Sequence, residues 1–438
     1  MKIGKLTVVV LGVVSSVVAC GGPVRIEPTE DSARAANQTG EMRTTLKHYN
    51  LGAEAAGNDQ NLAARESFLK ALETAPEHPA LIMRAAAVEA ELGNSAAAVA
   101  WLERYAALGG IADLAAIEVF GTLREVEGYA VVAAAIAAND RPPAPADIVV
   151  TLNDAHLWPE GIAFDRMTGD LFVGSMSENK IVAIRAVGIV EDFGASAGDG
   201  LLNVLGMTVD ENRRHLWACM GLGSDEFQSD GERRRNGVVR YDLETGRLLA
   251  RYDLEDDGIN RLLNDVIVAA DGTAYVTESH HGSVYRIEPG SETIEHFRFF
   301  PELNYLNGIE LSPDGERLYL AAVEGIFALV LAEDRVVKLG HEEGVSTVSA
   351  DGLCLAGSSL FAVQNQPRLG FRTMRFDLDD SGLGIESASV LPAGLPEGLI
   401  PYTCAAGDGE VFVNGTGPLN LMDTEGVPAN PVVIRIPI

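Results

Sequence analysis

The chain has 438 residues, with 33 Lys or Arg against 63 Asp or Glu, a formal charge of −30 and 47% hydrophobic residues. That much apolar material argues against a disordered polymer, and so acidic a surface repels phosphate backbones and anionic headgroups, so nucleic acid is excluded as a partner and a cation is favoured as a ligand. Four cysteines, Cys20, Cys219, Cys354 and Cys404, include no Cys-x-x-Cys pair. They specify neither a disulfide framework nor a structural zinc cluster, and their spacing leaves open whether any of the last three pair.

Lys2 and Lys5 precede an apolar run from Leu6 to Val14, and small residues then lead to Cys20. A span of ~30 Å of hydrocarbon takes about 20 apolar residues, so this shorter run reads as a secretory signal over residues 1–19. Val17-Val18-Ala19-Cys20 resembles the lipobox of bacterial lipoproteins. The resemblance implies a lipidated Cys20 and a cell-envelope protein, at the outer membrane or the periplasmic face, that touches the membrane through its anchor alone. Residues 20–41, with Pro23, Pro28 and no apolar periodicity, read as a tether.

From 42 to 140 the chain is rich in Ala, Leu and Glu at helical spacing. Leu51-Gly52, Ala64, Phe68, Ala71 and Pro76 fall at the spacings of a tetratricopeptide repeat, where small residues let paired helices approach and proline stops the second. Gly93-Asn94, Ala98, Leu102 and Tyr105-Ala106 form a weaker second copy, offset by about 34 to 36 residues. An all-α domain follows, suited to packing against its neighbour or a protein partner. Arg141-Pro142-Pro143-Ala144-Pro145 marks its end.

Beyond 147 the texture is short Val, Ile, Leu and Tyr runs punctuated by turns at Thr168-Gly169, Asp210 to Arg213, Asp271-Gly272, Asp314-Gly315, Gly357-Ser358 and Asp408-Gly409. An all-strand repeat of about 40 to 50 residues is one propeller blade, so 147–438 reads as a six-bladed β-propeller, with Asp147 to Leu152 as the outer strand of the last blade.

A residue seven or eight positions ahead of each turn lies at the mouth of the central channel. Four mouths carry Glu160, Asn264, Asn307 and Asp351. Two carboxylates and two amide oxygens around one axis suit a hard divalent cation, calcium before magnesium, manganese or zinc.

Glu160-Gly161, Asn264-Asp265, the run Asn-Gly-x-x-x-Ser-Pro-Asp-Gly at 307–315, and Asp351-Gly352 resemble the senescence marker protein, gluconolactonase and regucalcin family, with relatives among paraoxonases. The resemblance implies a propeller that hydrolyses a lactone or ester with a bound metal. Glu160, Asn307 and Asp351 would then bind the metal, with Asn264 a fourth ligand or a substrate contact and Asp265 beside it. Blade two holds Leu205-Gly206 where paraoxonase-like enzymes have His-Gly, so the general base is sought elsewhere. Asp351 is one candidate; His280 and His281, which end the second strand of blade three, are the other. The connection from Gly221 to Gly237, with Arg233 among its charges, is a lid that contacts substrate or an ion-paired flap, and 414–431 is a second long excursion. The competing reading is a non-catalytic, metal-stapled module that assembles through the propeller face and the helical repeats.

Overall fold

The computed structural model describes residues 44–140, 144–221, 236–342, 344–417 and 429–438. Cys20, the tether, Arg233 with nearly all of the blade-two connection, Arg141 to Pro143 and most of the last excursion lie outside these residues.

Two helical hairpins open the described chain: α1 (Thr44–Gly57) with α2 (Asn61–Thr74), then α3 (Pro79–Glu91) with α4 (Ser95–Ala107). The small residues read from the sequence sit where helices touch. A Cβ on Gly52 would stand 2.6 Å from the Phe68 ring, so only glycine lets α1 approach α2 this closely. Ala64, Phe68 and Ala71 of α2, and Ala98, Leu102 and Tyr105 of α4, are all fully buried. Pro79 starts α3, where its missing N–H costs nothing. A fifth helix, α5 (Tyr129–Asn139), completes the all-α domain. Among the described residues no helix is long and apolar enough to cross a membrane.

Six four-stranded antiparallel sheets follow, five in plain sequence order from the axis outward. The sixth takes its outermost strand, Asp147–Thr151, from the start of the propeller, pairing it antiparallel with Val432–Pro437 and closing the ring as expected. The apolar core is correspondingly divided: Phe172 of blade one packs with Met207 and Leu216 of blade two, and Trp217 and Cys219 of blade two with Leu263 and Val276 of blade three. Similar wedges fill the other four blade boundaries. Each blade buries its faces only against its neighbours. Cys354 and Cys404, on the innermost strands of blades five and six, form a disulfide that spacing alone did not specify, and Cys219 is a buried free thiol.

The helical domain docks on the end of the propeller where the innermost strands begin, over blades four and five. Glu77, between the hairpins, takes Lys338 Nζ at 3.0 Å and His341 Nε2 at 3.2 Å. Ile111 N donates to Arg368 O at 2.8 Å. Arg372 Nη2 donates at 3.2 Å to Leu108 O, just past the end of α4, where helix carbonyls lack partners and favour a cation. The sequence gives no role to His341; the structure places it in this contact, because its partner lies in the other domain.

Candidate metal centre at the channel mouth

Every blade begins with an irregularity at the same point. Strand pairing slips at Glu160-Gly161, Leu205-Gly206, Asn264-Asp265, Asp351-Gly352 and Tyr402-Thr403 in blades one, two, three, five and six. In blade four Asn307 N donates to Ala321 O, and Ala321 N donates to Gly308 O, immediately before the strand starts at Ile309. Six bulges in register set Glu160, Leu205, Asn264, Asn307, Asp351 and Tyr402 at equivalent positions around the axis. In blades one to five the second residue of the pair packs against the next blade. A Cβ on Gly206 would overlap the Asp265 carboxylate, which is why this close approach takes glycine.

Side chains of the second strands and their ends fix these positions. Asn414 Nδ2 donates to Glu160 O at 2.8 Å, and Thr277 Oγ1 donates to Asn307 O at 2.7 Å. Asn307 and Asn365 each donate an amide N–H to Asp351, one to each carboxylate oxygen. Asn264 Nδ2 donates to Ser279 Oγ at 3.0 Å. Asn264 and Asn307 thus each spend an amide N–H on a protein partner, and the amide oxygen is the acceptor each has left for a cation.

The electrostatics are those of crowded carboxylates. Burial, then the charges of Asp351 and Asp265, hold Glu160 well above its ordinary range. Burial pushes Asp351 up to about 7, opposed by the Asn307 hydrogen bond and reinforced by Asp265. Asp265 also reaches about 7 through burial, although Ile309 N and Val266 N donate to it. Among the described residues neither lysine nor arginine acts on any of the three. Buried like charges without a counter-ion are costly, and a cation would relieve that cost. No three His, Cys, Asp or Glu side chains converge as a metal-binding group among the described residues, so a cation here would take amide oxygens beside carboxylates. An all-oxygen set of that kind fits a hard ion.

His280 and His281 end the second strand of blade three on the same side of the propeller as Asn264. They are organised by Glu278, which is buried and accepts from His280 N, His281 N and Leu262 N. Its carboxylate also lies 3.4 Å from His281 Nδ1. Burial would raise Glu278, but the bond and charge of His281 outweigh it and the carboxyl is held below its ordinary range. His280 Nδ1 lies 3.2 Å from Asn260 O.

Four residues of this centre escaped the sequence. Asn365 follows the second strand of blade five as the histidines follow that of blade three, a parallel that would have found it. Tyr402 occupies the ring position of blade six, where burial and then Asp351 and Glu160 raise its phenol. Tyr305 precedes blade four and is raised likewise by burial, Asp351, Glu160 and Glu278. Glu310 lies deeper in the channel, in a cavity of about 170 Å³ also lined by Asp265 and Thr403, where burial pushes it up to about 8.

Residues 158–326 match the family described as the SMP-30/Gluconolactonase/LRE-like region, so the propeller carries a gluconolactonase-like domain. No curated protein matches the chain in sequence. Among solved structures, a Xanthomonas campestris gluconolactonase is 18% identical, with 68% of this chain and 96% of that one covered at a TM-score of 0.43. A PQQ-bound aldose sugar dehydrogenase from Streptomyces coelicolor is 16% identical, with 68% and 99% covered at 0.45. A virginiamycin B lyase from Staphylococcus aureus is 14% identical, with 66% and 98% covered at 0.42.

Proposed function

We propose that this protein is a divalent-cation-dependent hydrolase of lactones or related esters, with calcium the best-suited ion, carried on a lipid anchor at Cys20 in a bacterial cell envelope. The observation that carries the reading is the shared bulge register of Glu160, Asn264, Asn307 and Asp351, within a region that matches the gluconolactonase-like family. Glu160 and Asp351 would hold the ion through carboxylates, and Asn307 and Asn264 through the amide oxygens left free. Once bound, such an ion polarises an ester carbonyl as a Lewis acid.

The chain's own residues supply the remaining chemistry. Asn307 and Asn365 clamp both oxygens of Asp351 and so fix the orientation of this carboxylate, the first candidate for taking the proton of the attacking water. His281 is the second: Glu278 accepting at Nδ1 sets the tautomer in which Nε2 is the acceptor. Asp265 and Arg233 are assigned to substrate contact.

The test is a panel of lactones, carboxylic esters and phosphotriesters, offered to the soluble protein starting near residue 40 with and without chelator. Hydrolysis that chelator abolishes and calcium restores supports the reading. Metal-loaded protein that turns over nothing would overturn it and favour the metal-stapled assembly module.

A further inference from the structure

The boundary between the two domains holds a cavity of about 420 Å³ over blades five and six, and none of Glu160, Asn264, Asn307 and Asp351 lines it. Gly109 and Asn139 reach it from the helical domain. Leu369, Phe371 and Arg372 reach it from the turn that leads into the third strand of blade five, and Leu391 from just past the fourth. The walls are largely apolar. Among the described residues lining the cavity Arg372 is the single cation.

That guanidinium is held in place by neutral groups. Gln364, fully buried, donates through Nε2 to Ser346 O at 2.8 Å and to Val348 O at 3.0 Å, which turns its Oε1 to accept from Arg372 Nε at 2.9 Å. Leu108 O accepts from Nη2 at 3.2 Å. Two of the five N–H donors are thereby used, and Nη1 is not among them. A Cβ on Gly109 would lie 2.5 Å from Nη1, so glycine at 109, with φ +76°, keeps that nitrogen clear. Among the described residues no carboxylate pairs with Arg372, and burial alone acts on it, lowering it to about 10. Asp140 also lines the cavity, but it is exposed and forms no ion pair with the arginine. A half-buried charge with no counter-ion is costly, and the planar fork of a guanidinium matches a carboxylate in two parallel hydrogen bonds.

Asn139, the last residue of α5, adds a second polar group. Its Nδ2 donates to Ala106 O at 2.9 Å and to Gly110 O at 3.1 Å, so both amide hydrogens are used and the amide oxygen remains as an acceptor. An acceptor of this kind selects a donor such as a hydroxyl. Phe371, beside the arginine, has φ +50°, a left-handed conformation that a bulky residue adopts only where its surroundings impose it.

We propose that this cavity is a second ligand site, for a hydroxycarboxylate with an apolar chain: the carboxylate takes the Arg372 fork, the chain lies on Leu369, Phe371 and Leu391, and the hydroxyl donates to the amide oxygen of Asn139. Each domain supplies one of the two polar contacts, which gives the helical domain a binding role. Opening a lactone with water yields an acid of this class. That source rests on the hydrolase reading, whereas the binding does not.

The experiment is calorimetric titration of the full chain with 5-hydroxydecanoate at pH 7.5 in chelator, where the acidic ring has no cation to hold a carboxylate. One site should fill with Kd on the order of 0.1 mM, the strength expected of ~13 non-hydrogen atoms. Decane-1,5-diol, which lacks the carboxylate, should bind at least tenfold more weakly, and decanoate, which lacks the hydroxyl, at least threefold. Arg372→Met should weaken the hydroxy acid at least tenfold. Hydrogen–deuterium exchange over 366–373 should slow at least twofold with the acid bound. Should Arg372→Met unfold, the diol decides the carboxylate contact on wild type. Absence of both heat and protection, a diol as tight as the acid, or undiminished binding to folded Arg372→Met would each overturn the proposal. Decanoate as tight as the hydroxy acid would overturn the contact with Asn139. Protein that opens no lactone would sink the hydrolase reading and the proposed source, and the titration would still decide the site.

Discussion

Replacing Glu160 by glutamine should have opposite effects with and without metal. In the metal-free protein the charges of Glu160, Asp265 and Asp351 repel one another, and among the described residues no cation acts on them. Asp351 stands at about 7 against an ordinary 3.8, roughly three units, and each unit corresponds to about 1.4 kcal/mol, so keeping it ionised in the fold costs on the order of 4 kcal/mol. An acid raised in the folded state costs nothing at a pH below its unfolded value and its full amount above the folded one, so chelated protein should lose stability as pH rises from about 4 to 7. Glu160→Gln relieves the cost of ionising Glu160 beside Asp265 and Asp351 and should stabilise chelated protein at pH 7.5 by about 1 to 3 kcal/mol, the size of one such repulsion at an effective dielectric near 20. With calcium the sign reverses. Ligand at about 100 times Kd adds ~2.7 kcal/mol to wild type, and the variant, lacking a ligand charge, should recover little of it. Melting curves at pH 5 and 7.5, each with chelator and with calcium, give all four quantities. A variant less stable than wild type in chelator, with an undiminished calcium shift, would refute the argument that these carboxylates form one charge-crowded ring.

How much of this was legible depended on whether a residue's position follows from its own blade. Glu160, Asn264, Asn307 and Asp351 could be placed because each precedes its own turn by a similar number of residues along its own strand, and the bulges fall at the same point of each blade. Gly52 and Phe68 marked a helix pair for the same local reason: one small and one large residue meet across a single hairpin. Asn365 and Tyr305 reach the centre from the end of a second strand and from a connection between blades, where loop length and a left-handed backbone set the direction. His341 was missed because it meets Glu77 across the domain boundary. The Cys354–Cys404 bond depends on which blades are neighbours in the closed ring. Local periodicity therefore revealed the repeat and its ring, while contacts made by closure or docking needed the assembled fold.

If Asp351 takes the proton in hydrolysis, Asp351→Asn should lower kcat by at least the ~100-fold typical of a lost general base, whereas His281→Gln should do so if the histidine takes it. Clickable fatty acid should label wild type and spare Cys20→Ala; equal labelling of both would remove the anchor. The contact between domains should depend on pH in two directions. The hydrogen bond to Glu77 holds His341 above its ordinary 6.5 despite burial, so that part of the contact is complete below 6.5 and is lost as pH rises through the raised value. Glu77 is held below its ordinary 4.5, because His341 and Lys338 outweigh its burial, so its part is complete above 4.5 and is lost at more acid pH. Docking should therefore be tightest between about 4.5 and 6.5, and protease cleavage in 108–128 or 338–347 slowest there. His341→Gln should remove the alkaline decline and leave the acid one, at a cost of about 1 kcal/mol near pH 6, since the histidine is partly exposed and water screens the pair. A wild-type cleavage rate flat from pH 5.5 to 8 would show that the Glu77 cluster does not hold the two domains together.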